Sequence, residues 1–167
     1  MLQQIKYDRT SAVEYAKKWA FKRNPRYFDF EDLGGDCTNF VSQCIYSGCR
    51  VMNYTKTYGW YYLSINNRAP AWTGSKYLYD FLIKNKEAGP IAIVSNAYSI
   101  EPGDVIQLGN ENNDYYHSLI VVNIEKSQIF VASHSVDSYM RLLDTYNFKN
   151  IRFLHIIGAN KPKSNRK

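Results

Sequence analysis

The sequence predicts an α+β domain, with helices packed first and an antiparallel sheet following them. Three observations predict it. Apolar residues recur at helical spacing in three segments before residue 89 and at strand spacing beyond it. A short turn, Glu125-Lys126-Ser127, separates two apolar runs in the manner of a hairpin. The chain has 167 residues, 45% hydrophobic and 16% aromatic, which suffices for one buried core and is too apolar for disorder.

The elements follow in order. Ser11-Ala12-Val13-Glu14 has the form of a capping box, with Ser11 as N-cap and Glu14 reaching back. Val13, Ala16, Trp19 and Ala20 then share a helix face, and Asn24-Pro25 ends the run. Residues 26–36 read as an aromatic and acidic loop in which Tyr27, Phe28 and Phe30 pack while Glu31 and Asp32 stay in water. A second helix is expected from Cys37 to Ser47 with Gly48 as its stop, carrying the apolar stripe Phe40, Val41, Cys44 and Ile45. Residues 50–75 read as loop, with aromatic segments at Tyr58–Tyr62 and Ala71-Trp72. A third helix, about Ser75 to Lys86, places Leu78, Phe81 and Leu82 on one side. The turn Pro102-Gly103-Asp104 launches a strand over Val105–Leu108, His117–Ile124 and Gln128–Ser133 form the hairpin, and Ile151–Ile157 is a final strand. One domain over residues 1–158 is expected, followed by a basic, flexible tail over 159–167.

The formal net charge is +6, and four of those charges lie in the tail Lys161–Lys167. A mildly basic body suits an anionic glycopeptide surface, and no basic-aromatic pattern specific to nucleic acid accompanies it. Three cysteines without a CxxC spacing fit neither a disulfide framework nor a zinc knuckle, but they do fit a working thiol. Cys44 reads as a small core residue. The N-terminus has no apolar signal-peptide core, and no apolar run reaches transmembrane length. The site of action is left between the cell wall or exterior and the cytoplasm, and a monomer is expected.

The chemistry centres on Cys37. A glycine pair, Gly34-Gly35, delivers it to the start of a helix, where unpaired N–H groups and the helix dipole favour a thiolate and offer an oxyanion hole. His117 opens a strand after a polar loop and is the candidate base. His134 ends the next strand, so the hairpin is expected to set the two histidines side by side, with His134 orienting His117. Asp137 is the rival orienter. Asp36, Asn39, Trp60 and Trp72 are candidate substrate-binding or oxyanion groups, with capping and core packing as the plainer readings. His155, inside an apolar strand, reads as structural. No metal site and no cofactor motif is expected.

The run Gly34-Gly35-Asp36-Cys37-Thr38-Asn39-Phe40-Val41-Ser42-Gln43 closely resembles the nucleophile motif of the "Putative amidase domain" family, within the papain-like NlpC/P60 and CHAP group of cysteine peptidases and amidases. Tyr7 through Ala16 looks like that family's leading helix, and Ala71-Trp72 like its tryptophan segment. Glu101–Ile106 is similar to the turn before the histidine strand, which His117–Val121 resembles, and Ala132–Ser135 occupies the place of the third polar residue. The resemblance runs from about residue 7 to 157; it departs at Gly48-Cys49, where a second glycine is expected. It implies a papain-like core, a thioester formed at Cys37, proton transfer by His117, no cofactor, and peptidoglycan amides as substrate. Two other readings stand beside it. One is transfer of the acyl group to an amine, as in a transglutaminase; the other is a non-catalytic wall-binding module.

Overall fold

The computed structural model describes residues 1–164. Strand β1 (Leu2–Ile5) leads into helices α1 (Arg9–Trp19) and α2 (Cys37–Cys49). A two-stranded ribbon, β2 (Tyr62–Ser64) and β3 (Asn67–Arg68), precedes helices α3 (Pro70–Thr73) and α4 (Ser75–Lys84). Then come β4 (Gly89–Ser95), β5 (Val105–Gly109), β6 (Tyr115–Glu125), β7 (Gln128–Ser133), β8 (Ser138–Leu142) and β9 (Asn150–Pro162). The architecture is α+β, as expected. The expected loop over residues 50–75 contains the ribbon and the single-turn α3, which starts at Pro70 because proline suits a first helical turn.

Helix α1 begins earlier than the capping-box reading places it. Asp8 is the N-cap: its carboxylate accepts from the Ser11 backbone N–H (3.0 Å) and the Ser11 hydroxyl (2.7 Å), so Ser11 lies inside the first turn. Helix α2 runs past Gly48 and is closed by Arg50 in the left-handed conformation at φ 55°. Gly48 is needed for close approach and not as a stop. A Cβ there would lie 2.3 Å from the Tyr7 ring and 2.8 Å from the Asp8 carbonyl.

Seven strands form one antiparallel sheet, in which β6 pairs β5 and β7, and β8 pairs β7. Strand β9 pairs β4 along one edge and, in succession, β5 and β1 along the other. Both faces of the central strands are covered. Val105, Ile120, Ala132 and Leu154 meet the helices, packing with Phe40, Val41 and Cys44 of α2. Ile106, Leu108, Leu119, Val121 and Val131 pack on the opposite side beneath Ile100, Leu143, Tyr146 and Phe148. Burial on both faces gives these strands continuous apolar runs in place of clean alternation.

The boundary expected after residue 158 is not a structural one. Ala159 through Pro162 continue β9 and pair with Ile5 through Leu2. The last three residues of the expected tail lie outside the described residues.

The Tyr7–Arg9 segment brackets the turn at 102–104. The Tyr7 hydroxyl donates to the Gly103 carbonyl (2.9 Å), and Arg9 donates to the Pro102 carbonyl (3.0 Å) and to buried Asp104 (2.7 Å). Asp104 also accepts from the Ile156 and Glu101 backbone N–H groups and bonds His155 Nδ1 at 2.7 Å. Glu101, Asp104 and His155 bring ligand-type atoms within 4.8 Å of one another, but the Arg9 guanidinium already supplies the cation there.

Candidate active site

Cys37 is the first residue of α2 and is buried, 8% exposed. Gly34 and Gly35 precede it with φ of 97° and 102°, a backbone turn that residues with a side chain rarely adopt. Gly35 also passes close to the β7–β8 turn, where the Asp36 backbone N–H donates to Ser135 Oγ at 3.1 Å. Asp36 occupies the N-cap position but makes no capping hydrogen bond. The N-cap side chain therefore leaves the first-turn N–H groups of α2 uncapped at the residue that carries the thiol.

The sulfur lies against the backbone on either side of His117. The Cys37 thiol points toward the Tyr116 carbonyl at 3.9 Å, and Thr38 Oγ1 is 3.8 Å away. Burial pushes the Cys37 thiol above its ordinary range; the Ser118 N–H and the Thr38 hydroxyl and N–H pull it back, and Asp36 adds to the rise. For His117, burial and then the positive charge of Arg141 lower the imidazole pKa to about 4. The thiol and the imidazole are thus both neutral at rest, and Cys37 is not the thiolate that the helix start alone suggests. Burial outweighs the dipole. Among the described residues neither ring nitrogen of His117 hydrogen-bonds a protein group, and its aromatic neighbour is Tyr146, with ring centres 5.9 Å apart.

Beneath the sulfur runs a polar chain absent from the sequence reading. Arg152 donates twice to Gln107 Oε1 (2.8 and 2.6 Å), and Gln107 Nε2 donates to Ser118 Oγ (3.0 Å) and the Ser75 carbonyl (2.9 Å). Ser118 Oγ donates to Ser75 Oγ at 3.2 Å, and Thr38 Oγ1 lies 2.9 Å from both serine hydroxyls. With Ser118 donating to Ser75 and Ser75 to Thr38, the Thr38 proton is left for the sulfur. Every donor in this order points from the Arg152 cation toward Cys37. The even-numbered positions of β6 face α2, so Ser118 was within reach of a period-two reading.

His134 is not beside His117. Ile120 stands opposite Ala132, and carrying that register two residues further puts Ser118, not His117, opposite His134. The two histidines consequently face opposite sides of the sheet. His134 is buried against Phe40, with ring centres 4.0 Å apart; its Nε2 faces the Trp19 carbonyl at 2.9 Å and its Nδ1 faces Asp36 Oδ2 at 2.5 Å. Both ring nitrogens meet oxygen partners, so the imidazole ties Asp36 at one end to the C-terminus of α1 at the other.

The remaining expected positions are also engaged elsewhere. Asp137 forms a two-bond pair with Arg23 (2.9 and 3.1 Å), which removes it as an orienter of His117. Asn39 is not an oxyanion donor: its Nδ2 donates to Asp36 Oδ1 and the Phe28 carbonyl, and its Oδ1 accepts from Trp72. Trp60 and Trp72 are fully buried with ring centres 4.7 Å apart, and Trp60 donates to Ser42 Oγ. They are core residues and offer no ligand a stacking face. All three cysteines are free.

Residues 6–157 match the family model described as "Putative amidase domain", and the chain belongs to that family. It is similar to Uncharacterized protein YhbB of Bacillus subtilis strain 168, 36% identical over 142 residues that cover 82% of this chain and 44% of that protein. Uncharacterized protein YjcM of the same organism is 31% identical over 142 residues, covering 78% of this chain and 31% of that protein. The chain spans less than half the length of these curated relatives. No solved structure matches it.

Proposed function

We propose that the protein is a cysteine-dependent amide hydrolase of papain-like type, with Cys37 as nucleophile and His117 as base. One observation carries this reading: the thiol sits at the uncapped start of α2, against the backbone flanking His117. Membership of an amidase family agrees with it. In this mechanism Cys37 Sγ attacks the amide carbonyl carbon while its proton passes to the His117 ring. The oxyanion is held by N–H groups of the first turn of α2. His117 then protonates the leaving amine, and a thioester remains. Water, giving its proton to His117, attacks the thioester; the carboxylic acid leaves and the thiol is restored.

The substrate class we assign is the peptide or N-acyl amide of cell-wall glycopeptides. The resemblance to wall hydrolases supports it, as does the net charge of +6. Purified sacculi and soluble muropeptides incubated with the protein are expected to yield new amines and carboxylates by mass spectrometry. Cys37→Ala and His117→Ala should lose that yield, and an acyl adduct on Cys37 should be trapped on acid quenching. Equal product from wild type and Cys37→Ala would overturn the thiol mechanism.

A further inference from the structure

Arg141 stands on the same sheet face as His117. It lies opposite Val131 on the adjacent strand, and Val131, Leu119 and Val121 form one apolar layer on that face. Its guanidinium rests on the Tyr146 ring, 3.8 Å from the ring centre, and Tyr146 is the ring beside His117. Two hydrogen bonds to Thr145 (2.9 and 3.1 Å) hold it there, and the Tyr146 hydroxyl is 3.2 Å from Ser133 Oγ.

Other half-buried arginines already have partners. Arg9 pairs with Asp104, and Arg23 with Asp137, Asp29 and Asp36. Arg152 bonds Gln107 and is enclosed by Tyr79 and Tyr115. Among the described residues Arg141 has no carboxylate at ion-pair distance, and its Nη1 makes no hydrogen bond. A fixed, unneutralised guanidinium beside the candidate base has a cost, because it also disfavours the imidazolium through which that base must pass. An anion arriving with the substrate would remove the cost.

We infer that Arg141 binds a carboxylate carried by the substrate close to the scissile carbonyl, so that the preferred substrates are anionic amides. The inference rests on Cys37 and His117 being the reactive pair. Binding the carboxylate completes the guanidinium fork, which suits two-oxygen anions. It also offsets the positive charge facing His117, so the base strengthens when the correct substrate is in place.

Two alkylating agents of nearly equal size test this without knowledge of the natural substrate. Iodoacetate carries a carboxylate directly on its reactive carbon; iodoacetamide carries a neutral amide in the same place. Their rates at Cys37 are compared with those at free cysteine, by peptide mass spectrometry at pH ~9, where His117 is neutral with or without Arg141 and the ratio of the two reagents cancels the thiolate fraction. The iodoacetate-to-iodoacetamide ratio at Cys37 is expected to exceed that of free cysteine by roughly tenfold, equivalent to about 1.4 kcal/mol. Arg141→Gln should return the ratio to the free-cysteine value, and Arg141→Lys should keep most of the preference. A ratio unchanged in Arg141→Gln overturns the carboxylate site and leaves the thiol mechanism standing. Labelling of Cys37 by neither reagent overturns the accessible thiol itself, and this inference with it.

Discussion

Asp36 Oδ2 lies 2.5 Å from His134 Nδ1, joining the residue before the candidate nucleophile to the end of β7. Each partner also sits at a favourable helix end. Asp36 precedes the N-terminus of α2, and His134 faces the carbonyl of Trp19, the last residue of α1. The Arg23 guanidinium, 3.6 Å from Asp36, completes the charge balance. The pair positions the Cys37 turn without touching the sulfur.

Removing one member strands the other in the interior. His134→Ala and Asp36→Ala are each expected to destabilise the protein by about 3–5 kcal/mol in urea unfolding. The double variant should cost less than the two single losses combined, since no buried polar partner is left unpaired. A His134→Ala protein of unchanged midpoint would remove the structural assignment.

The Arg152–Gln107–Ser118–Thr38 chain carries a second prediction. Thr38→Val deletes the hydroxyl nearest the sulfur, and Gln107→Leu interrupts the chain further back. Both should slow iodoacetamide labelling of Cys37 by roughly three- to tenfold near neutral pH, shifting the pH profile upward. The neighbouring hydroxyl makes Thr38→Ser the conservative control, with labelling near the wild-type rate. An upward shift shared by Thr38→Ser would trace the effect to packing.

His117 gives a pH dependence of stability with a definite sign. Its folded pKa of about 4 lies below the unfolded value, so the unfolded chain binds the extra proton first. Stability is therefore whole above pH ~6.5 and falls as pH is lowered toward the folded value, by at most about 3 kcal/mol from this residue. His117→Gln should unfold with a flatter dependence over the same range. Thermal midpoints measured between these limits for both proteins check it.

The residues that announced themselves in sequence were those whose signal is local. The helix start at Cys37, the stripe Phe40–Ile45 and the hairpin at Glu125–Ser127 needed only spacing and turn chemistry, and all three stand in the structure. What failed was relational. Which face His134 takes depends on a register that a hairpin's length leaves free by one residue, and one residue reverses the face. Trp60 and Trp72 read equally well as a stacking platform or as core, because an indole serves either and only its neighbours decide. Gly48 looked like a stop because helices often end at glycine; the constraint is the Tyr7 ring, forty-one positions away in the chain. Of the Gln107 chain only Ser118 had a signal, its even-numbered place on β6; that Gln107, Ser75 and Thr38 meet it depends on tertiary packing.

Strand β1 meets the end of β9 with Leu2 opposite Pro162, and the Lys163 N–H bonds the Met1 carbonyl at 3.0 Å. Met1–Leu2 and Pro162–Lys163 thus lie side by side at one corner of the sheet. Tension applied through both ends would load this outermost rung alone, then the next, opening the ladder as a zipper does instead of shearing it at once. Cys37 on α2 and His117 on β6 lie on other elements, so the first rungs could part while both keep their places.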